Sequence, residues 1–312
     1  MRFVGAAELR ERLPMPALVR ALREAFARGA TVPPRQVLAL PGGGTSLLMP
    51  AWREGGAYGV KVVNVCPANR AAGLPAVQAM YTLFDLATGE PRLTMDGGEL
   101  TVRRTVAASA LAAGFLAHPE ATRHLIVGAG QIAALLPEAM RVVRPGLSQL
   151  RIWNHRPEGA EALAGRLREQ GFDAQAVGDL AAAAAEAQVI SCATLSEQAL
   201  VRGEWLSPGT HLDLIGSFTP AMREADGACF ARARVFVDTE EALAKAGCVL
   251  QAQAEGAFDP ARLQGTLAQL CRSQRPGRQQ AHEITLFKSV GTALEDLAAA
   301  ELVMQGLDNP GP

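Results

Sequence analysis

The residues Leu125-Ile126-Val127-Gly128-Ala129-Gly130-Gln131-Ile132-Ala133 form an apolar run that continues into a Gly-x-Gly-x-x-Ala pattern. A strand that ends in this pattern and leads directly into a helix is typical of a dinucleotide-binding fold. Gly128 permits the tight turn, Gly130 lets the backbone approach a pyrophosphate, and Ala133 lets the helix pack closely on the strand. The positive end of the helix then offers its free N–H groups to the phosphates. The stretch therefore predicts a Rossmann fold with a dinucleotide site; the alternative is a tight turn that binds no ligand.

Strand and helix patterns alternate along the chain beyond this stretch. Strands alternating with helices predict a parallel, doubly wound sheet. The pattern changes near Pro119, so we predict an α/β Rossmann domain over residues 119–290. Its predicted strands lie at residues 124–127, 150–154, 189–192, 211–215 and 235–237, and its clearest helices at residues 131–143 and 158–170.

The end of the second predicted strand bears on the choice between NAD and NADP. An NAD-preferring fold usually carries Asp or Glu at this place to hold the ribose 2′-hydroxyl. This chain has Asn154, which does not repel a 2′-phosphate, followed by His155 and Arg156. The pattern favours NADP as the cofactor, and NAD stays possible. The alternative is that Arg156 is only a solvent-exposed residue without a part in binding.

The first third of the chain has a different pattern. It predicts a helix at residues 16–29 and a long Ala-rich helix that is capped by Thr101 and runs to about residue 118. Between them, turn signals separate short strands. We therefore predict a smaller α+β domain in which a helix covers an antiparallel sheet. Its strands are predicted at residues 36–40, 46–49, 58–65 and 80–84.

Lys61 is unusual because it lies in a strand that is apolar on both faces. A lysine in such a strand must reach a polar cleft or an anion. Desolvation would lower its pKa, which suits proton transfer. The alternative is a lysine that extends to solvent at the margin of the sheet.

Two arginines give weaker signals of the same kind. Arg104 belongs to the predicted first turn of the long helix, where a positive charge opposes the helix dipole and a nearby anion would relieve the conflict. Arg35 follows Pro33-Pro34 and begins a strand from a rigid entry. Either arginine alone is more often a surface residue.

Composition excludes several classes of protein. The 312 residues carry a formal net charge of −1, so no general attraction to nucleic acid or to an anionic membrane is expected. No apolar stretch reaches the roughly 18 residues that a transmembrane helix needs. The five cysteines are scattered, which argues against a metal-binding pair. We expect a reduced, cytoplasmic protein that holds no metal.

A series of short motifs follows the chain from one end to the other. They are Pro34-Arg35, Leu48-Met49-Pro50, Gly59-Val60-Lys61-Val62, Gly73-Leu74-Pro75, Phe84-Asp85 with Thr88-Gly89, Leu100-Thr101 with Arg104-Thr105, the Gly128 pattern, Ile215-Gly216-Ser217, Arg223-Glu224 and residues 284–291. Over nearly its whole length the chain thus resembles the ornithine cyclodeaminase/μ-crystallin family. Members of this family convert ornithine or lysine to a cyclic amino acid, dehydrogenate alanine, reduce cyclic ketimines or, in μ-crystallin, bind NADPH and thyroid hormone.

The resemblance implies a domain arrangement. Family members join a Rossmann domain to an N-terminal domain that binds the substrate and forms a homodimer, and their last helix returns to that N-terminal domain. Residues 1–118 and 291–312 would then form the substrate-binding and dimerisation domain, and residues 119–290 would form the NAD(P)-binding domain.

The resemblance also implies site residues. Arg35, Lys61 and Arg104 would bind the carboxylate of a small imino or amino acid, with Lys61 and Arg104 taking part in catalysis. Met49 and Val290 would line this site. The implied contacts to the dinucleotide are Gly128, Gly130, Gln131, Ile132, Asn154, Thr194, Ile215, Gly216, Ser217 and Ser289, to which the pattern above adds Arg156.

Two departures from the family narrow the reaction. Ornithine cyclodeaminases carry an essential aspartate where this chain has Phe218, and a second acid where it has Leu47. Without these acids little remains to hold the side-chain ammonium of ornithine. An apolar Phe218 beside the nicotinamide suits a neutral, compact substrate.

These observations predict an oxidoreductase that reduces a cyclic ketimine carboxylate of the Δ1-pyrroline-2-carboxylate type to an amino acid. The three cations would orient the substrate, and Lys61 would pass a proton to its nitrogen. Two alternatives stay open: an ornithine cyclodeaminase that forms proline and ammonia, and a non-catalytic NADPH- and ligand-binding protein of the μ-crystallin type.

Overall fold

A computed structural model describes residues 1–308 of the chain, apart from the side chain of Arg70. Its strands are β1 (Arg2–Val4), β2 (Gln36–Leu40), β3 (Gly44–Trp52), β4 (Ala57–Val65), β5 (Val77–Asp85), β6 (Pro91–Asp96), β7 (Arg123–Val127), β8 (Gln149–Trp153), β9 (Asp173–Ala176), β10 (Val189–Cys192), β11 (His211–Leu214), β12 (Arg234–Val237), β13 (Gly265–Thr266) and β14 (Thr285–Lys288). Its α-helices are α1 (Ala6–Arg12), α2 (Met15–Arg28), α3 (Gly97–Leu116), α4 (Gln131–Val143), α5 (Pro157–Glu169), α6 (Leu180–Glu186), α7 (Gly227–Arg232), α8 (Ala242–Lys245), α9 (Gly247–Ala254), α10 (Leu267–Cys271) and α11 (Ala293–Asp308).

The chain divides into two compact units. The first contains residues 1–105 together with the segment from Thr292 onward, and the second contains residues 106–291. The division falls inside α3, whereas the sequence predicts a boundary at the end of this helix, at residue 118. Early residues of α3 bond within the first unit, as Arg103 Nη2 does to the carbonyl of Leu13 at 2.7 Å. Later residues bond within the second, as Ser109 Oγ does to Asp213 at 3.2 Å. Residues 309–312 of the predicted first domain lie outside the described residues.

The first unit is built on a six-stranded sheet in the order β1-β6-β5-β4-β3-β2. Four of its five strand pairs are antiparallel, and β1 pairs in parallel with β6. The helices α2 and α11 pack together, and α11 also contacts β3, β4 and β5. The apolar positions of α2 that the sequence shows on one face, among them Leu18, Leu22 and Phe26, are buried. The predicted antiparallel sheet is therefore present, and the helix that contacts it is α11, with the predicted helix α2 packed on α11.

The second unit is a doubly wound α/β fold. Its eight strands are all parallel and lie in the order β13-β12-β14-β11-β10-β7-β8-β9. The chain leaves β7 in one direction through β8 and β9 and in the other through β10 and β11, so the order reverses between β7 and β10. Ligands of such sheets bind at the carboxyl ends of the strands beside this reversal. Within residues 1–308, no helix is long and apolar enough to cross a membrane.

The start of α3 corrects one prediction. The sequence predicts Thr101 as the cap of this helix, but α3 begins at Gly97 and Thr101 lies in its second turn. Asp96 provides the cap instead, since its Oδ1 accepts the backbone N–H of Glu99 at 2.8 Å. Thr101 Oγ1 donates to the carbonyl of Gly97 at 2.7 Å. Arg104 is therefore not in the first turn, and the argument from an opposed helix dipole does not apply to it.

Candidate active site

Lys61 lies at the centre of the sheet in the first unit, with its side chain on the covered face. In the register of the sheet, Lys61 pairs with Met49 on β3 and with Tyr81 on β5. Residues that pair directly across antiparallel strands point to the same face. Met49, Lys61 and Tyr81 are 5%, 1% and 0% exposed. Lys61 is thus a buried lysine, and the alternative of a lysine that extends to solvent at the sheet margin is wrong.

The ammonium group of Lys61 has two partners in its surroundings. Its Nζ lies 2.9 Å from Oδ1 and 2.7 Å from Oδ2 of Asp296, and it donates to Thr101 Oγ1 at 3.2 Å. Burial lowers the pKa of Lys61 to about 8, although Asp296 acts in the opposite direction. A lysine with such a pKa is mostly protonated at neutral pH and gives up its proton more readily than a lysine in water.

Arg104 binds the same aspartate. Its Nε donates to Asp296 Oδ1 at 3.0 Å, and its Nη1 donates to Glu295 Oε2 at 2.5 Å. Burial lowers the pKa of Arg104, but Asp296 and Glu295 raise it by more, so the net shift is upward. For Asp296 the directions are reversed: burial raises the pKa, but Lys61 and Arg104 lower it by more, so the net shift is downward. Lys61, Arg104, Glu295 and Asp296, here called the Lys61 cluster, therefore combine two positive and two negative charges.

The two carboxylates of this cluster were not predicted. The sequence analysis assigned Lys61 and Arg104 to a substrate anion alone, but Glu295 and Asp296 already neutralise them. The available signal was two adjacent acids near the start of an Ala-rich helix; in the structure both are buried, at 1% and 0% exposure. Buried acids almost always have partners, so this pair pointed to cations elsewhere in the chain.

Met49 and Lys61 belong to one row of residues across the sheet, where they pair directly. Gln36, the first residue of β2, pairs with Leu48 on β3. Arg35 immediately precedes β2, beside the strand that carries Met49, and it is half-buried. The fold therefore brings two of the predicted substrate-binding residues into one row, and Asp296 joins Arg104 to it.

The other two predicted substrate-binding residues belong to the second unit. Phe218 is 45% exposed. Val290 follows β14, and its backbone N–H donates to Asp238 Oδ2 at 2.7 Å. Asp238 holds Gly291 in the same way, with N–H to Oδ2 at 2.7 Å, so the chain that leaves β14 is tied to one buried carboxylate.

The glycine turn after β7 has the geometry that a pyrophosphate requires. Gly128 has a φ of 117°, and a Cβ built on it would lie 2.6 Å from the carbonyl oxygen of Ala193. Gly130 precedes the first residue of α4, no side chain caps this helix end, and no atom lies within 4 Å of a Cβ built on Gly130. The first N–H groups of α4, from Gln131 and Ile132 onward, thus border open space. This cradle fits the phosphates of a dinucleotide.

Asn154 and Arg156, predicted at the end of β8 to bind the cofactor, differ in their surroundings: the side chain of Asn154 is hydrogen-bonded within the protein, and that of Arg156 is exposed. Asn154 Nδ2 donates to the carbonyl of Arg156 at 2.9 Å, so its amide closes the turn into α5. A Cβ built on Gly159 would lie 2.7 Å from the same Nδ2, so this helix turn packs on Asn154. Arg156 is the residue before α5, and its side chain is exposed. The guanidinium of Arg156 thus stands at the strand end where this fold class binds the adenosine ribose.

The remaining predicted cofactor residues follow β10, β11 and β14. These strands lie in the same parallel sheet as β7, in the order β14-β11-β10-β7, so Thr194, Ile215, Gly216 and Ser289 lie at the same edge as Gly128. Ser217 follows them but turns its side chain inward. It has a φ of 56°, its Oγ donates to the carbonyl of Met222 at 2.8 Å, and the same Oγ accepts the N–H of Cys248 at 2.8 Å. Its hydroxyl is therefore engaged within the protein, which leaves only its backbone for a ligand.

Known proteins are similar to this chain over most of its length. The sequence matches the family described as ornithine cyclodeaminase/mu-crystallin over residues 2–309. It is 40% identical to a Δ1-pyrroline-2-carboxylate reductase of Paracoccus denitrificans, over 90% of each chain. The solved structure of the Thermococcus litoralis Δ1-pyrroline-2-carboxylate reductase in complex with NADH and L-proline superposes with a TM-score of 0.93, 29% identity and coverage of 99% of this chain and 98% of that one. An archaeal alanine dehydrogenase dimer with bound NAD superposes with a TM-score of 0.91, 28% identity and coverage of 99% and 97%.

Proposed function

Because the chain belongs to the ornithine cyclodeaminase/mu-crystallin family, we propose that it is an oxidoreductase that uses a nicotinamide cofactor to reduce a cyclic ketimine carboxylate, of the Δ1-pyrroline-2-carboxylate type, to the amino acid. The observation that carries the proposal is the buried Lys61 cluster in a chain that two relatives with this activity match over 90% and 99% of its length. Glu295 and Asp296 hold Lys61 and Arg104 in place, and both cations have further N–H donors, which suits a small substrate with one carboxylate.

Substrate binding is assigned to the first unit. An ammonium group has three N–H donors, and Asp296 and Thr101 engage two of those of Lys61, which leaves one for a substrate. Arg104 and Arg35 add planar guanidinium groups, which bind carboxylates with defined orientation. Met49, beside Lys61 in the row, supplies an apolar wall for the ring of the substrate.

The reaction adds a hydride to the carbon and a proton to the nitrogen of the C=N bond. The bound nicotinamide supplies the hydride. Lys61 supplies the proton, since a pKa of about 8 leaves it charged at neutral pH yet able to donate. Asp296 holds Nζ in place before and after the transfer. Because Nζ returns to the charged form by taking a proton from water, Lys61 is unchanged after each turnover.

Dinucleotide binding is assigned to the second unit. Gly128, Gly130, Gln131 and Ile132 would hold the pyrophosphate, because they form the open cradle at the start of α4. Asn154 and Arg156 would hold the adenosine ribose. Thr194, Ile215, Gly216, the backbone of Ser217, and Ser289 would border the nicotinamide half.

We expect NADPH to bind more tightly than NADH, by about tenfold or more, because Arg156 is exposed at the ribose end and Asn154 replaces the acid that an NAD-preferring fold usually carries there. Arg156→Ala should remove most of this preference. Arg166→Ala, which removes an exposed arginine within α5, is the matched control and should leave the preference intact. Titration of both cofactors into the three proteins measures the effect. Equal affinities for NADH and NADPH in the unaltered protein would contradict the preference.

Ornithine should be a poor substrate. Leu47 is half-buried in β3 and Phe218 is apolar, so neither can pair with a side-chain ammonium. We expect kcat/KM for ammonia release from ornithine to be at least about a hundredfold below that for reduction of Δ1-pyrroline-2-carboxylate. Parallel assays of ammonia release and NAD(P)H oxidation test this. Ammonia release as fast as imine reduction would favour the cyclodeaminase, and tight NADPH binding without any turnover would favour the non-catalytic protein.

We also propose that the protein is a homodimer that pairs through the first unit. The face of its sheet opposite to Lys61 carries an apolar patch, in which Leu48, Val62 and Met80 pair across β3, β4 and β5. Met80 is 51% exposed, and Leu38 on β2 is 46% exposed. An exposed apolar patch of this kind is typical of an interface, and a related alanine dehydrogenase is a dimer.

A further inference from the structure

Two fully buried charged side chains, Glu224 and Lys288, lie in the second unit and have no part in the reaction proposed above. Both are 0% exposed. Burying a charge is costly unless partners compensate for it, so such residues persist where they hold a particular arrangement. Glu224 belongs to the Arg223-Glu224 motif, and Lys288 ends β14.

Glu224 holds the segment that follows β10. Its Oε1 accepts two hydrogen bonds from Thr194, one from the backbone N–H at 2.7 Å and one from Oγ1 at 2.9 Å. Its Oε2 is buried and accepts no hydrogen bond from any of residues 1–308. One carboxylate oxygen therefore fixes the backbone N–H and the hydroxyl of a residue that is assigned to the dinucleotide.

Lys288 holds the turn that follows β11. Its Nζ donates to the carbonyl of Leu214 at 3.0 Å and also to the carbonyl of Gly216. These two carbonyls flank Ile215, so one ammonium group fixes the path of the backbone on both sides of that residue. The buried ammonium group of Lys288 therefore stabilises a turn that lies outside regular secondary structure.

The contacts of Glu224 and those of Lys288 come together at Gly216. A Cβ built on Gly216 would lie 2.1 Å from the carbonyl oxygen of Thr194 and 2.5 Å from Glu224 Oε1. The segment after β10, the turn after β11 and the carboxylate are thus in direct contact, with no room for a side chain. A shift of either segment would displace the other.

Electrostatics favour keeping both charges together. Burial raises the pKa of Glu224 to about 7, and Lys288 lowers it. Burial lowers the pKa of Lys288, and Glu224 is the largest of the charges that raise it. Asp213 and Asp238 are further buried acids that act on Lys288 in the same sense as Glu224. Loss of either member would leave the other with less compensation.

We propose that Glu224 and Lys288 are positioning residues that hold the Thr194 segment and the turn from Leu214 to Ser217 in the arrangement that binds the nicotinamide half of the dinucleotide. The inference rests on the proposed function for the identity of the ligand. The hydrogen bonds of Glu224 and Lys288 that carry it lie within the second unit.

The test compares Glu224→Ala, Glu224→Gln and Lys288→Met with Glu255→Gln, which removes a carboxylate that pairs with the adjacent Arg223. Dissociation constants of NADH and NADPH are measured by titration well below the melting temperature of each variant. Hydrogen exchange of the Thr194 amide is measured without ligand. Steady-state kinetics with Δ1-pyrroline-2-carboxylate then separate KM for NAD(P)H, KM for the imine and kcat.

We expect Glu224→Ala and Lys288→Met each to weaken dinucleotide binding by about tenfold or more, with KM for NAD(P)H rising far more than KM for the imine. Glu224→Ala should also expose the Thr194 amide to exchange. Glu224→Gln keeps an oxygen that can accept from Thr194, so it should retain the protection of that amide and much of the affinity. Of the three substitutions at Glu224 and Lys288, Glu224→Gln should also disturb folding least.

Unchanged dissociation constants in folded Glu224→Ala and Lys288→Met would overturn the proposal, as would a loss of the same size in Glu255→Gln. The proposed function can fail separately. If the unaltered protein binds NAD(P)H but reduces no imine, weaker binding in the variants still supports the positioning role. If it binds no dinucleotide, the Thr194 exchange decides whether Glu224 holds its segment.

Discussion

Changing Lys61 to Met is expected to lower kcat/KM for a cyclic ketimine carboxylate by about two to three orders of magnitude, or roughly 2–4 kcal/mol of transition-state stabilisation. Met keeps the length of the side chain and removes both the charge and the N–H donors. The loss combines a missing contact to the carboxylate with a missing proton donor. The affinity for NADPH should change little, because the glycine turn that anchors it belongs to the second unit.

The matched control for this change is Lys245→Met. Lys245 forms an ion pair with Glu241 near the surface, and its side chain is 36% exposed, so its removal should leave the kinetics unaltered. The pH dependence of the unaltered protein gives an independent check. Since the role proposed for Lys61 requires its protonated form, kcat/KM should be constant below the pKa of about 8 and fall above it. Normal turnover by Lys61→Met would remove the catalytic role of this cluster.

The fold of the second unit follows closely from local signals. The apolar run and the glycines around Gly128 specify a strand, a turn and a helix within a few residues, and the structure has each of them at the predicted place. β9 was missed because its residues, Asp173-Ala174-Gln175-Ala176, lack the apolar run of a buried strand. It lies at the edge of the sheet beyond β8, where only one neighbour stabilises it.

The site could be predicted only in part because its charges are paired over long stretches of chain. Lys61 and Arg104 stood out as cations in apolar surroundings, but their partners Glu295 and Asp296 come some 200 residues later, on α11. Neither periodicity nor spacing relates positions that far apart. Thr101 shows the converse: its residue type suggested a cap, whereas tertiary packing puts it inside α3, in contact with Lys61.

The second large effect is expected from Asp296→Asn, which should reduce the free energy of unfolding by about 3–5 kcal/mol. Asp296 is the carboxylate that Lys61 and Arg104 share, so its loss leaves two buried cations with Glu295 alone. Thermal or denaturant unfolding measures the loss. Glu301→Gln, on the same helix, removes the partner of the less buried Arg53 and should cost less. The double variant Lys61→Met with Asp296→Asn should recover much of the stability, because it removes one cation together with the anion.

The pH dependence of this loss has a definite sign. Asp296 raises the pKa of Lys61, so the pKa in Asp296→Asn should fall below the value of about 8 in the unaltered protein. Where the unfolded chain binds more protons than the folded one, stability rises with pH. In Asp296→Asn, stability therefore begins to rise at the lowered pKa of Lys61. In the unaltered protein it begins to rise only at about pH 8. The deficit of the variant should therefore be greatest at acidic pH, shrink as the pH rises to about 8, and stay constant above it. A deficit that is independent of pH over that range, with no recovery in the double variant, would mean that Asp296 does not hold the charge of Lys61.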